Sequence, residues 1–108
     1  MSDDDPSGWR PLCAAIDVEI GTPVRVEVEG LPPLAVFQLA DGFYVTDDTC
    51  THDKSSLADG YIDGDLVECA FHFAKFCIST GKVLSLPATR DLRTYAIKVE
   101  DGEVFVEV

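Results

Sequence analysis

The sequence predicts an all-β domain, an antiparallel β-sandwich or barrel. Three observations carry that expectation. Apolar residues alternate with period two along several short segments, turn signals recur every ten to twenty residues, and no stretch shows a convincing 3.6-residue period. The chain has 108 residues, enough for one domain with a modest core and too few for two. Apolar residues make up 46% of it, within the globular range, and they are rich in Val and Ile, which favour strands.

The elements follow in order. Residues 1–8, MSDDDPSG, are polar and acidic and read as a flexible end, leaving 9–108 as the folded domain. TPVRVEVEG (22–30) alternates with Val24, Val26 and Val28 on one face. Leu31-Pro32-Pro33 reads as a loop or an edge, because proline fixes φ and removes a ladder donor. LAVFQL (34–39) and FYVT (43–46) flank Asp41-Gly42 as a hairpin. Asp-Gly recurs at Asp59-Gly60, Asp63-Gly64 and Asp101-Gly102, a pair suited to turns whose two central residues both need positive φ. Around Asp101-Gly102, Tyr95, Ile97 and Val99 alternate going in, and Val104, Val106 and Val108 coming back. Neither an internal repeat nor a linker is evident. Trp9, Phe37, Phe43, Tyr44 and Phe105 are expected in the core.

Net charge is −12, with the acids spread evenly along the chain, so there is no separate acidic tail. Such a surface repels nucleic-acid phosphates and favours a partner with a basic docking patch; keeping a small protein in solution would explain it equally well. The N-terminus has neither the basic nor the apolar region of a signal peptide, and no run reaches the roughly 18 apolar residues of a membrane span. A cytoplasmic setting is therefore expected, and there close Cys/His spacings are more often metal-binding than disulfide-bonded.

Residues 50–72, CTHDKSSLADGYIDGDLVECAFH, hold both histidines and two of the four cysteines. Cys50 and His52 lie two apart, Cys69 and His72 three apart, and 16 residues separate His52 from Cys69. A hairpin about Asp63-Gly64 would fold the second pair back against the first. Two thiolates and two imidazoles can hold tetrahedral zinc, or a cluster whose irons take Cys and His separately. Zinc motifs usually repeat like with like, whereas this order is Cys, His, Cys, His; that alternation suits a two-iron rhomb and leaves zinc as the lesser alternative. With both histidines so placed, no Ser-His-Asp arrangement is available, and the chain is not expected to be an enzyme in its own right.

Cys50-Thr51-His52 and Cys69-Ala70-Phe71-His72 resemble the Rieske [2Fe–2S] motif, C-x-H followed some 16 residues later by C-x-x-H. The resemblance runs from LADGYIDGDLVECAFHFAKFCISTGKV through LPATRDLRTYAIKVEDGEVFVEV and covers roughly residues 9 to 108. It is to the small Rieske ferredoxins of bacterial aromatic-ring dioxygenases. It implies a Rieske fold with a small cluster-binding subdomain at about 47–80, and one [2Fe–2S] cluster. Cys50 and Cys69 would ligate the buried iron, His52 and His72 the outer iron through which electrons pass. Pro87 would lie in a loop covering the cluster from a third side. The implied function is one-electron transfer from a flavin-containing, NADH-oxidising ferredoxin reductase to a Rieske non-haem iron terminal oxygenase. The alternatives are a small Rieske subunit of an assimilatory nitrite reductase and a structural zinc module.

Departures from the high-potential Rieske pattern carry information. Ser55 and Phe71 stand where respiratory Rieske proteins have disulfide cysteines. Ala74 and Phe76 stand where those proteins have a serine and a tyrosine that donate hydrogen bonds to the cluster. Fewer donors stabilise the reduced cluster less, so the potential is expected near the bottom of the roughly −150 to +300 mV Rieske range. Asp53 replaces a frequent glycine after the first histidine, and aspartate tolerates left-handed backbone better than most residues. Lys54 and Lys75 flank the motif as solvated side chains or as docking charges. Cys13 and Cys77 have no ligand-like spacing and are expected as small buried hydrophobes.

Overall fold

The computed structural model describes residues 8–51, 55–70, 73–86 and 90–107. Among these residues ten strands form three antiparallel sheets: β1 (Trp9–Ala14), β2 (Val24–Val26), β3 (Leu34–Leu39), β4 (Gly42–Asp47), β5 (Tyr61–Asp63), β6 (Leu66–Glu68), β7 (Lys75–Cys77), β8 (Thr94–Tyr95), β9 (Ile97–Glu100) and β10 (Glu103–Glu107). The sheet orders are β1-β10-β9, β2-β3-β4-β8 and β5-β6-β7. The expected all-β architecture is borne out, and among the described residues no helix is long and apolar enough to cross a membrane.

The first two sheets close over a core of Val18, Leu34, Val36, Val45, Val104 and Val106, with Val24, Val26 and Val28 packed at its edge. That is the face the alternation in 22–30 assigns, although only Val24–Val26 are laddered, against β3. A second core joins the third sheet to the other face of β3: Ala35, Phe37, Leu39, Cys50, Leu57, Val67, Cys69, Ala74, Phe76, Ile78 and Leu92. Strand β3 is thus the shared wall. Its odd and even positions face different cores, so LAVFQL is almost continuously buried and apolar.

The four Asp-Gly pairs do three different things. Asp101 (φ 52°) and Gly102 (φ 78°) both take positive φ between β9 and β10, the two-residue turn the sequence predicts. At the other two hairpins the register slips by one. Leu39 pairs with Gly42 around Ala40-Asp41, and Asp63 pairs with Leu66 around Gly64-Asp65. Asp59-Gly60 makes no hairpin. Asp59 ends a 3₁₀ turn (Leu57–Asp59), and Gly60 has an ordinary φ of −83°. Glycine is needed there for close approach, because a Cβ would collide with the Glu68 carbonyl oxygen on β6.

Two further expectations are corrected. Phe37 is core, and Phe43 and Tyr44 pack at core edges, but Trp9 and Phe105 do not. They are half-buried, and the Lys98 ammonium sits 5.0 and 5.4 Å from their ring centroids. Phe105 lies between inward Val104 and Val106, so period two turns it outward. Cys13 and Cys77 are half-buried, not buried. Cys13 packs against the first core, where burial first, then Asp17 and Glu103, push its thiol pKa up. Cys77 joins a polar bracket: its Sγ lies 3.3 Å from Asp65 Oδ2, which also accepts the Ser79 hydroxyl at 2.6 Å. Burial alone would raise the Asp65 pKa, but donation from Ser79, Cys77 and Ile78 holds it below the usual carboxylate value.

Candidate metal centre

The two cysteine loops are closed alike. The Cys50 amide donates to the Ser55 carbonyl (3.0 Å), and the Cys69 amide donates to the Ala74 carbonyl (2.8 Å). Each cysteine therefore opens a loop closed by a bond to the carbonyl five residues on, and in sequence each loop carries one histidine. Below the first closure, Thr49 and Ser56 form a bridge. Leu57 N donates to Asp48 O (2.7 Å) and Ala58 N to Asp48 Oδ1 (2.9 Å). Asp48 is buried, and Arg25 Nε at 3.7 Å faces its carboxylate, so the buried charge has both a cation and an amide donor. The second loop is closed by the β6–β7 ladder, Glu68 opposite Lys75, and Phe73 turns it with φ 59°. A non-glycine residue at such a φ is uncommon.

The Asp63-Gly64 region folds the loops together as expected, since β5–β6–β7 brings Cys69 into the core that contains Cys50. Both cysteines are buried, at 2% and 0% exposure. One residue links the loops directly: Ser55, whose carbonyl closes the first, has its Oγ 2.8 Å from Cys69 Sγ on the second. Reading Ser55 only as a missing cysteine overlooks this hydroxyl. The one signal in the sequence was its residue type, because its partner is 14 positions away. His52, His72, Phe71, Asp53, Lys54 and Pro87 lie outside the described residues. The flanks of Pro87 are tied to both loops. Thr51 Oγ1 donates to the Arg90 carbonyl (2.7 Å), and Lys75 N donates to Ser85 Oγ (3.1 Å). Ala74 and Phe76 are fully buried and contribute no hydroxyl. Lys75 is exposed.

Two buried thiols on matched loops, one of them within reach of a hydroxyl donor, form a donor set suited to iron held at the inner side of a cluster. The comparisons agree. Residues 8–96 match the Rieske [2Fe-2S] domain. The chain is 46% identical over 98 residues to ferredoxin CarAc of Metapseudomonas resinovorans, covering 91% of this chain and 92% of that one. It is 41% identical over 97 residues to the ferredoxin component of biphenyl 2,3-dioxygenase of Rhodococcus jostii, covering 90% of each. Among solved structures, the ferredoxin of Sphingomonas yanoikuyae B1 superposes with a TM-score of 0.88 at 40% identity, covering 91% of this chain and 96% of that one. A putative nitrite reductase small subunit, at 24% identity and a TM-score of 0.78, shares the fold alone. The zinc alternative gives way to a Rieske-type [2Fe–2S] cluster as the cofactor. The chain belongs to the Rieske [2Fe–2S] family, among the ferredoxins of aromatic-ring dioxygenase systems.

Proposed function

We propose that Cys50, His52, Cys69 and His72 hold the cluster, the two cysteines on the buried iron and the two histidines on the outer one. In this reading residues 9–108 form one domain, with about 47–80 as its cluster-binding part and 1–8 as a flexible end. The observation that carries the assignment is the pair of matched closures, Cys50 N to Ser55 O and Cys69 N to Ala74 O, joined by the Ser55–Cys69 contact. When bound, the cluster supplies one reversible electron. The chain's part is to bury the thiolate side, to present the histidine side to a partner, and to set the potential.

In a cytoplasmic setting the carrier would take electrons from a flavin-containing, NADH-oxidising reductase. It would pass them to the Rieske non-haem iron oxygenase of an aromatic-ring dioxygenase. A complex of oxygenase and ferredoxin in carbazole 1,9a-dioxygenase includes a relative of this chain at 44% identity and a TM-score of 0.86, which supports the oxygenase as partner. Buried Ala74 and Phe76 leave two sites without donors and support a low potential. The test combines three measurements. Iron and acid-labile sulfide are expected in equal amounts, and each is lost when Cys50 or Cys69 becomes Ser or either histidine becomes Ala. The reduced protein is expected to show the low average g value of mixed Cys/His ligation. The midpoint is expected below zero; a value well above zero, or full cluster content in any ligand variant, overturns the corresponding part.

A further inference from the structure

We infer that Ser55 is a positioning residue that sets the cluster's potential by donating its hydroxyl to Cys69 Sγ. The inference rests on Cys69 being a ligand, as proposed above, and goes beyond it by adding a residue outside the ligand motif. Between a thiol and a hydroxyl 2.8 Å apart, either atom could donate. Once Cys69 is a metal-bound thiolate it has no proton to give, so the direction is fixed and Ser55 must be the donor. A charge-assisted bond of this kind draws electron density from the sulfur and weakens its donation to iron. The extra negative charge of the reduced form is then better tolerated, and the potential rises.

The hydroxyl is held where it can do this. The Ser55 carbonyl is fixed by the Cys50 amide at 3.0 Å, and the next residue, Ser56, is bridged to Thr49. The same segment is anchored below by the Leu57 and Ala58 amides on Asp48. The contact joins the two loops at a part-buried position, with Cys69 itself fully buried, and the lowered dielectric there strengthens it. Ala74 and Phe76 carry no hydroxyl, whereas Ser55 places one 2.8 Å from a cysteine of the motif.

The test is the midpoint potential of the cluster-loaded protein by direct voltammetry. Replacing Ser55→Ala should lower the equilibrium constant for reduction by a fixed-potential donor about tenfold, which is about 59 mV for a one-electron couple. Ser55→Val should do the same, while Ser55→Thr, of matching shape with the hydroxyl retained, should stay near the parent. An unchanged or raised midpoint in loaded Ala and Val variants overturns the inference. If those variants do not hold a cluster, the parent protein still decides. Exchange into D₂O should shift the iron–sulfur stretching bands of the resonance Raman spectrum, and the absence of a shift overturns it. Full iron in a Cys69→Ser variant would instead defeat the ligand assignment, so the two failures are distinguishable.

Discussion

At the scale of single residues, Ser55 and Tyr95 each carry a hydroxyl that meets a partner far along the chain, on Cys69 and on Asp47. The Cys50 and Cys69 pattern was legible because metal chemistry demands those types at those offsets. The Ser55–Cys69 contact was not, since it depends on the angle at which two loops converge. Tyr95 is a second such case. Alternation placed it on a strand face, but its hydroxyl donates to Asp47 Oδ1 at 2.6 Å, 48 positions away. Burial first, then the hydrogen bond and charge of Asp47, push its pKa up to about 12, against a smaller opposing effect of Arg93. The folded-state value lies above the ordinary phenol value near 10, so the stabilisation is complete below about pH 10 and is lost as pH rises through about 12. We expect NMR titration of ring-labelled protein to show a tyrosine with a midpoint near 12 that vanishes in Tyr95→Phe. A highest midpoint near 10 would remove the Asp47 contact.

Elements were legible where apolar strand residues run up to a turn pair, and β1 (Trp9–Ala14), which has no such turn and contains Pro11, was not. The β9–β10 hairpin is the clearest, with Asp101 and Gly102 in the turn the pair favours. Where another constraint competes, the dipeptide misleads. Asp59-Gly60 is a glycine of close approach, and nothing local distinguishes it from a hairpin glycine. Gly60→Ala should therefore destabilise by about 1–3 kcal/mol, the usual cost of overpacking, by forcing Leu57–Asp59 away from β6. Calorimetry should show a lower Tm together with faster loss of iron; an unchanged Tm would mean the approach is looser than stated. The two faces of β3 make a paired test. Leu34→Ala empties part of the first core and should cost about 2–5 kcal/mol while the purified protein keeps its iron. Ala35→Leu crowds the core that contains both cysteines, so iron content should fall as well as Tm. Equal iron loss in both variants would mean that β3 does not separate the two cores.

For the whole molecule, the property that no element carries is charge. The chain bears −12, and the acids are distributed over both halves, so the field surrounds the molecule instead of concentrating in a tail. Exposed Lys75, at the base of the second cysteine loop and opposite Glu68, is a cation close to the motif. A carrier that must meet two partners in turn gains more from rapid, reversible encounter than from tight binding, and long-range attraction raises the on-rate without burying charge. That attraction reaches about 30 Å at 0.01 M salt and about 3 Å at 1 M. If a basic partner surface exploits it, the second-order rate of reduction by the reductase should fall at least tenfold across that range, with the midpoint potential little changed. Lys75→Glu separates global steering from local docking. It makes the protein more acidic, so steering alone would speed encounter at low salt, whereas loss of a docking cation would slow it. Stopped-flow reduction of parent and variant across the salt range reads both effects. A salt-independent rate in both would leave the acidic surface serving only to keep the protein dispersed.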